Sequence, residues 1–282
     1  MAEVTSPRFA LAGVMGWPIA HSRSPMLHNY WMREHALNGV YVPLAIKPDG
    51  LAAALKALHP LGFVGCNLTL PHKQQAMTIV DAVDDVAKRI GAISCVTVRA
   101  DGSLAGTNND CFGFIHNLKQ EHPDWRANAG PAVVLGAGGG ARAVCYALMQ
   151  AGATEIRVVN RSYARAQALA AEFGAPLQAL PWAQRHAALD GAALVVNTTS
   201  QGMKGQPALD VRLDALPTGA LVADIIYTPL ETPFLAAARL RGNATSNGLG
   251  MLLHQGRPAW KLWFDIETTV TAELRETLER SL

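Results

Sequence analysis

Charge is scarce in this chain. Only 16% of its 282 residues are Asp, Glu, Lys or Arg, against about 25% in an ordinary globular protein. The 24 basic and 22 acidic residues leave a net charge of +2, far from the clustered cations that nucleic-acid binding requires. A membrane span is missing as well, since no uncharged run reaches the roughly 18 apolar residues needed. The apolar segment Phe9–Ala20 follows Glu3 and Arg8 and is broken by Gly13, Gly16 and Pro18. It therefore lacks the basic, apolar, small-residue order of a signal peptide. The four cysteines, Cys66, Cys95, Cys111 and Cys145, have neither metal-site nor disulfide-framework spacing. They read as buried free thiols in a reducing, cytoplasmic setting. His21 and His28 are too isolated to suggest a metal, and none is expected. Apolar residues, by contrast, make up 50% of the chain, which excludes intrinsic disorder. At roughly 150 residues per domain the length points to two domains.

Two α/β rhythms follow one another. Strands are predicted over Phe9–Gly16, Val40–Ile46 and Gly62–Thr69, with helices over Pro25–Leu37 and Leu51–Leu58 between them. Ser24 is the expected N-cap of the first helix, with Pro25 at its first position. Ser94–Arg99 and Ser103–Gly106 flank a hairpin turn at Ala100-Asp101-Gly102. Strand and helix in alternation imply a mostly parallel layer. A second unit starts near Pro131, with strands Ala132–Gly136 and Glu155–Asn160 and helices Gly139–Gln150 and Ser162–Phe173. Leu194–Thr198 and Leu221–Tyr227 suit buried parallel strands. Helix Asp110–Glu121 is the expected crossover between the units. The tail from Gly248 is helical, with Pro258 and Asp265 near its break.

Gly136-Ala137-Gly138-Gly139-Gly140-Ala141 fits G-x-G-x-x-A between an apolar strand and a helical pattern. Alone it could be a flexible turn; in this context it is the dinucleotide fingerprint of a Rossmann-type fold. The first glycine permits the tight turn, the second lets the backbone approach a pyrophosphate, and Ala141 allows helix to pack on strand. An NAD site would carry Asp or Glu at the end of the next strand. Here that strand ends in Asn160-Arg161-Ser162, with Arg165 one turn on. Guanidiniums and a hydroxyl hold a 2′-phosphate, where a carboxylate would repel it. NADP is the expected cofactor, with a solvated surface arginine pair as the alternative. Between Gly130 and Ala171, four arginines (Arg142, Arg157, Arg161, Arg165) face only Glu155, so the small positive balance is local to this unit.

In the first unit, Asn67-Leu68-Thr69-Leu70-Pro71-His72-Lys73 closes a strand and is expected to open a helix around Gln74–Val80. A lysine there opposes the helix dipole, so Lys73 is either a snorkelling surface residue or part of a site with Asn67 and Thr69. Asp110 ends Gly106-Thr107-Asn108-Asn109-Asp110 and could serve only as an N-cap. As a pair, Lys73 and Asp110 would supply the proton exchange that a nicotinamide dehydrogenase needs.

These segments, in this order, resemble the shikimate/quinate dehydrogenase family over nearly the whole chain. Gly16–Pro25 is similar to its N-terminal substrate loop, which implies Ser22 and Ser24 as substrate contacts. Asn67–Lys73 resembles N-V-T-x-P-x-K, implying Thr69 as a substrate contact and Lys73 as catalytic. Gly106–Asp110 resembles G-x-N-T-D, giving Asp110 the partner role. Gly136–Ala141 and Asn160–Arg165 match the NADP motifs, and Asn197–Met203 matches N-x-T-S-x-G-M. Tyr227 and Gln255 correspond to further substrate contacts, and Ile225 and Gly248 to nicotinamide-side contacts. The resemblance implies a substrate-binding domain, 1–112 completed by C-terminal helices in 248–282, and a Rossmann-type NADP domain over 113–247. It also implies reversible NADPH-dependent reduction of 3-dehydroshikimate to shikimate, a step of aromatic amino-acid (chorismate) biosynthesis. The expected partners are this small molecule and NADP, with no nucleic acid and no membrane, in a monomer or homodimer.

Two departures fall on the substrate side. Where the family commonly has G-A-x-N-T, this chain has Gly91-Ala92-Ile93-Ser94-Cys95, so the resemblance implies Ser94 as a substrate contact, a shorter group where an amide would touch substrate hydroxyls. Asn109 replaces a threonine beside Asp110. Quinate or a shikimate analogue is therefore the alternative alcohol, and a catalytically silent NADP-binding module is the alternative of another class. Retention of both Lys73 and Asp110 speaks against the silent module. The cofactor reading predicts that Arg161→Ala costs about 1.5–3 kcal/mol of NADP binding, or about ten- to a hundredfold in affinity by titration.

Overall fold

The computed structural model describes residues 9–282. They divide into two compact units: the described residues up to Asn109 with Gly256–Leu278, and Asp110–Gln255 with Glu279–Leu282. The first holds β1 (Ala10–Gly16), α1 (Ser24–Glu34), β2 (Gly39–Ala45), α2 (Leu51–Ala57), β3 (Phe63–Leu68), β4 (Ala82–Val83), α3 (Asp85–Ile90), β5 (Cys95–Val98) and β6 (Leu104–Thr107). The sheet order is β2-β1-β3-β5-β6-β4, and among these strands β5 alone runs against the rest. That reversal is the hairpin at Ala100–Gly102, where Arg99 donates its amide to the Ser103 carbonyl at 2.8 Å.

Three local expectations need correction. Ser24 is the first residue of α1 and not its cap: Arg23 occupies the N-cap position, where its side chain does not cap the helix, and the Ser22 hydroxyl accepts from the Ser24 amide at 3.3 Å. The helix expected over Gln74–Val80 is a single 3-10 turn, Gln75–Thr78. The sheet edge cuts it short, because the Asp81 amide bonds to the Leu104 carbonyl at 3.0 Å and its carboxylate to the Leu104 amide at 2.7 Å. The dipole argument for Lys73 therefore falls, since one such turn has little dipole to oppose. Third, Pro258 lies inside a helix and does not break it.

The second unit contains α4 (Asp110–Glu121), β7 (Ala132–Leu135), α5 (Gly139–Gln150), β8 (Ile156–Asn160), α6 (Tyr163–Phe173), β9 (Leu177–Pro181), β10 (Leu194–Asn197), β11 (Leu221–Asp224), α7 (Pro233–Leu240) and β12 (Ala244–Ser246). Its sheet, ordered β12-β11-β10-β7-β8-β9, is parallel throughout. Counted from β7, that is the doubly wound 3-2-1-4-5-6 order. β7, β10 and β11 are buried along their whole length, as strands covered on both faces must be. One core lies on the α4/α5/α6 face, around Val134, Val144 and Val196, and the other around Leu135, Val195 and Leu235.

The C-terminal helices are α8 (Leu249–Phe264) and α9 (Ala272–Glu279). α8 passes from the second unit to the first between Gln255 and Gly256 and ends at Asp265, which has φ +56°. In the first unit, Trp260 and Trp31 are fully buried, and Trp260 Nε1 donates to His28 Nδ1 at 2.8 Å. His28 stacks on Tyr41 with centroids 4.1 Å apart, and its burial pulls its pKa down to about 3. It is thus a neutral packing residue. Trp263 Nε1 donates to the Val96 carbonyl at 3.1 Å, directly over Gly65, where an added Cβ would lie 2.1 Å from that nitrogen. Gly65→Ala must displace the indole, so urea titration is expected to show a loss of about 1–3 kcal/mol.

Candidate active site

The carboxyl edge of the second sheet is shaped by its order. β7 and β10 are neighbours whose connections leave in opposite directions, which opens a crevice for a ligand at their ends. Gly136 follows β7 with φ +118°, and a Cβ there would lie 2.5 Å from Thr198 Oγ1. Thr198 donates that hydroxyl to the Leu135 carbonyl at 2.7 Å, tying the Asn197–Met203 segment to the glycine turn. Beyond Ala137, a Cβ on Gly138 or Gly139 would meet nothing within 4 Å, so bare backbone faces open space. α5 starts there with Gly138 as N-cap and no side-chain cap, leaving its first amides available to an anion. Gly140 is small for another reason: its Cβ would lie 2.7 Å from Ile225 Cδ1. Ala141 is fully buried against the core.

At the end of β8, Asn160 Nδ2 donates to the Ser162 carbonyl at 2.9 Å and turns the chain into α6, leaving Arg161, Ser162 and Arg165 exposed. The four arginines of this region now separate. Arg157 pairs with Glu155 at 2.7 Å and Arg142 with Glu172 at 2.5 Å, whereas Arg161 and Arg165 have no ion pair among the described residues. Glu172 is also the one acid on α6. An open glycine turn, uncapped helix amides and two uncommitted guanidiniums fit a dinucleotide bearing a 2′-phosphate.

The loops after β10 and β11 share a buried polar network that was missed from sequence. Asn197 Nδ2 donates to Asp224 Oδ1 at 3.1 Å, and Thr232 donates to Asp224 Oδ2 at 2.8 Å. Asn197 Oδ1 accepts from the Thr199 amide at 3.0 Å and its hydroxyl at 2.8 Å. A carboxylate closing the apolar run Leu221–Asp224 was the available signal. Burial pushes Asp224 up to about 6, although its bonds to Ile226, Thr232 and Asn197 pull the other way. Ile225 and half-buried Tyr227 follow it. A Cβ on Gly248 would lie 2.0 Å from the Ile225 carbonyl oxygen, so only glycine lets the chain entering α8 approach this turn.

Buried Asp110 opens α4. One turn on, a Cβ on Gly113 would lie 2.9 Å from Gln255 Cβ and 2.5 Å from the Met251 carbonyl, so the helices bearing Asp110 and Gln255 pack backbone to backbone. α4 is also tied to β12: Asn117 Nδ2 donates to Ser246 Oγ at 3.0 Å, and that hydroxyl donates to Glu121 at 2.5 Å.

In the first unit, Ser22, Ser24, Thr69, Lys73 and Ser94 lie on segments laced together at the ends of β1 and β3 and the start of β5. Thr69 bonds through its amide to the Met15 carbonyl at 3.0 Å, and Trp17 to the Leu70 carbonyl at 3.1 Å. Buried His72 bonds through Nε2 to the Ile46 carbonyl at 2.8 Å, anchoring the turn that carries half-buried Lys73. The Lys73 carbonyl accepts from Ile93 at 2.8 Å. The next residue, Ser94, takes the Asn109 amide on its hydroxyl at 2.8 Å. Lys73 and the residue before Asp110 thus hang from consecutive positions. Ser94 is buried, with its carbonyl accepting from Asn67 Nδ2 at 3.2 Å, and Asn67 Oδ1 accepts from the Tyr41 hydroxyl at 2.7 Å. Tyr41, inside a strand with no motif around it, gave no sequence signal. None of the four cysteines is in a disulfide, and no cluster of metal-ligating side chains exists among the described residues.

A doubly wound parallel sheet with this turn and these arginines defines an NADP-type dinucleotide-binding α/β protein. The family described as "Shikimate dehydrogenase substrate binding domain" matches residues 14–96, and "Shikimate / quinate 5-dehydrogenase" matches 118–205. A curated shikimate dehydrogenase (NADP(+)) of Rhodospirillum rubrum is 53% identical over 94% of this chain and 95% of its own length. The Thermus thermophilus shikimate 5-dehydrogenase, solved with NADP(H) and shikimate, is 37% identical with a TM-score of 0.88, covering 97% of this chain and 100% of that one. A Corynebacterium glutamicum quinate dehydrogenase with NAD is 31% identical with a TM-score of 0.90, covering 97% and 99%. The chain belongs to the shikimate dehydrogenase family.

The Asp224 carboxyl binds its proton more tightly folded than unfolded. Its contribution is therefore favourable below its ordinary value near 3.8 and is lost as pH rises through about 6. Asp224→Asn, which cannot titrate, is expected to gain on the wild type by about 1–3 kcal/mol between pH 4.5 and pH 8, read from paired denaturant midpoints.

Proposed function

We propose that this protein catalyses the reversible NADP-dependent interconversion of shikimate and 3-dehydroshikimate. The observation that carries the cofactor choice is the end of β8, where Arg161 and Arg165 stand without ion-pair partners among the described residues and no carboxylate follows Asn160. The substrate follows from family membership, with 53% identity to a curated shikimate dehydrogenase over nearly the full length of both chains. In this reading the first unit takes the substrate and the second the dinucleotide.

Gly136–Ala141 would hold the pyrophosphate, Asn160, Arg161, Ser162 and Arg165 the 2′-phosphate end, and Ile225 and Gly248 the nicotinamide end. The bound cofactor supplies a hydride acceptor or donor. The Lys73 amine takes the proton of the reacting hydroxyl during oxidation and, as the ammonium, returns it on reduction, and Asp110 orients that hydroxyl and keeps the Lys73 nitrogen in place. Ser22, Ser24, Thr69, Tyr227 and Gln255 bind the ring carboxylate and hydroxyls. Ser94 joins them, since an oxygen that accepts the Asn109 amide still has its O–H to donate to a ring hydroxyl. Four free thiols suit a reducing, cytoplasmic setting.

The deciding assay follows NADPH absorbance with shikimate and, in parallel, quinate. Turnover of shikimate at the higher kcat/KM is expected, and no turnover of either acid would remove the assignment. Lys73→Ala is expected to lower kcat by about 10²–10⁴ with the thermal midpoint retained.

A further inference from the structure

Asp224 stands at the end of a fully buried parallel strand and is only 2% exposed. Strand burial gives no reason for a carboxylate there, since a well-packed apolar side chain would avoid the desolvation cost. What the carboxylate does is collect donors from three different segments. Asn197 Nδ2 comes from the end of β10 at 3.1 Å, the Ile226 amide from the turn after β11 at 3.0 Å, and the Thr232 hydroxyl from the N-cap of α7 at 2.8 Å. Between those points runs Ile225–Tyr227. The Ile225 amide bonds to the Asn197 carbonyl at 3.1 Å, and the Gly248 amide bonds to the Ile226 carbonyl at 2.9 Å. Ile225 also leans over Gly140 of the glycine turn, as the 2.7 Å approach of its Cδ1 to a Cβ built there shows.

We infer that Asp224 is a positioning residue for the reaction: through Asn197, Ile226 and Thr232 its carboxylate sets Ile225 over the glycine turn and presents Tyr227. This rests on the function proposed above, because the value of that placement lies in aligning the nicotinamide end of the cofactor with the substrate. Asp224 touches neither molecule. The adenosine end belongs to β8 and α6, and β8 lies three strands from β11 in the sheet order. Loosening the turn after β11 should therefore separate the two ends of the cofactor.

The test compares the wild type with Asp224→Ala and Asp224→Asn. Calorimetric titration with 2′,5′-ADP reads the adenosine end alone, titration with NADP reads the whole, and steady-state kinetics use shikimate. Affinity for 2′,5′-ADP is expected to stay within about twofold in all three proteins, as for sites that share no partner. Asp224→Ala is expected to bind NADP about tenfold more weakly and to lose about ten- to a hundredfold in kcat, with KM for shikimate raised. Asp224→Asn is expected to stay close to the wild type. Its amide oxygen can still accept from Asn197 and Ile226, and its NH2 can donate to the Thr232 oxygen once that hydroxyl turns away.

If Asp224→Ala loses 2′,5′-ADP binding and thermal stability in step with catalysis, Asp224 is a scaffold residue only and the inference fails. It fails equally if Asp224→Ala behaves as the wild type. Should the Ala variant not fold, Thr232→Val removes the donor to Asp224, together with the cap on the Leu235 amide, at constant shape, and an unchanged NADP to 2′,5′-ADP affinity ratio in that variant would overturn the inference. A wild type that does not turn over shikimate, together with a shifted ratio in Asp224→Ala, would sink the proposed reaction while leaving the positioning role standing.

Discussion

At the carboxyl ends of β7 and β11 the chain folds so tightly that two positions have no room for a Cβ. A Cβ on Gly136 would lie 2.5 Å from Thr198 Oγ1, and one on Gly248 would lie 2.0 Å from the Ile225 carbonyl oxygen. This crowding follows from the strand order, which sends consecutive connections away from the centre in opposite directions and leaves the crevice between them. The glycine turn, the Asn197–Met203 segment and the turn after β11 are then locked to one another. Only Gly138 and Gly139 of the cofactor turn are left facing open space. The site is defined by the two positions that have no room for a side chain and by the two that face open space.

The first unit solves a different problem. Its substrate-side polar groups must be held at the ends of a sheet whose interior is apolar. The solution is a buried set of rings, with His28 stacked on Tyr41 and bonded to Trp260. From Tyr41 one hydrogen bond leads to Asn67 and the next to the Ser94 carbonyl. α8, distant in sequence, therefore supports the loops bearing Thr69, Lys73 and Ser94 through packing and two buried indole bonds. Removing a partner from such a network leaves a desolvated polar group, which costs more than the bond itself contributes.

How much was legible in the sequence depended on how local each signal was. α5 lies at Gly139–Gln150 as its glycine start and apolar pattern imply, and α4 lies at Asp110–Glu121. α3 was passed over although its signals are present: Asp84 accepts from the Ala87 amide at 2.7 Å as N-cap, and Gly91 takes the left-handed position with φ +74°. The helix expected after Lys73 failed because Leu104, far along the chain, pulls Asp81 into the sheet. Tyr41 carries no sequence signal, and Asp224 only the weak one of a carboxylate closing an apolar run. A tyrosine in a strand and an aspartate at a strand end are ordinary until their partners are known.

Scarce charge and a half-apolar composition exclude disorder and a broad cationic surface from composition alone, because those quantities do not depend on how the chain folds. The sequence also determined the glycine turn and the arginine-bearing, carboxylate-free end of β8, since both are written within thirty residues of contiguous chain. Only the tertiary structure decided which arginines are available. It pairs Arg157 with Glu155 and Arg142 with Glu172 and leaves Arg161 and Arg165 outward. It also decided that the Ser94 hydroxyl accepts the Asn109 amide and that Asp224 gathers three segments under Ile225. Hydrogen bonds and ion pairs act over a few ångströms of space, and only the fold brings residues far apart in the chain within that range.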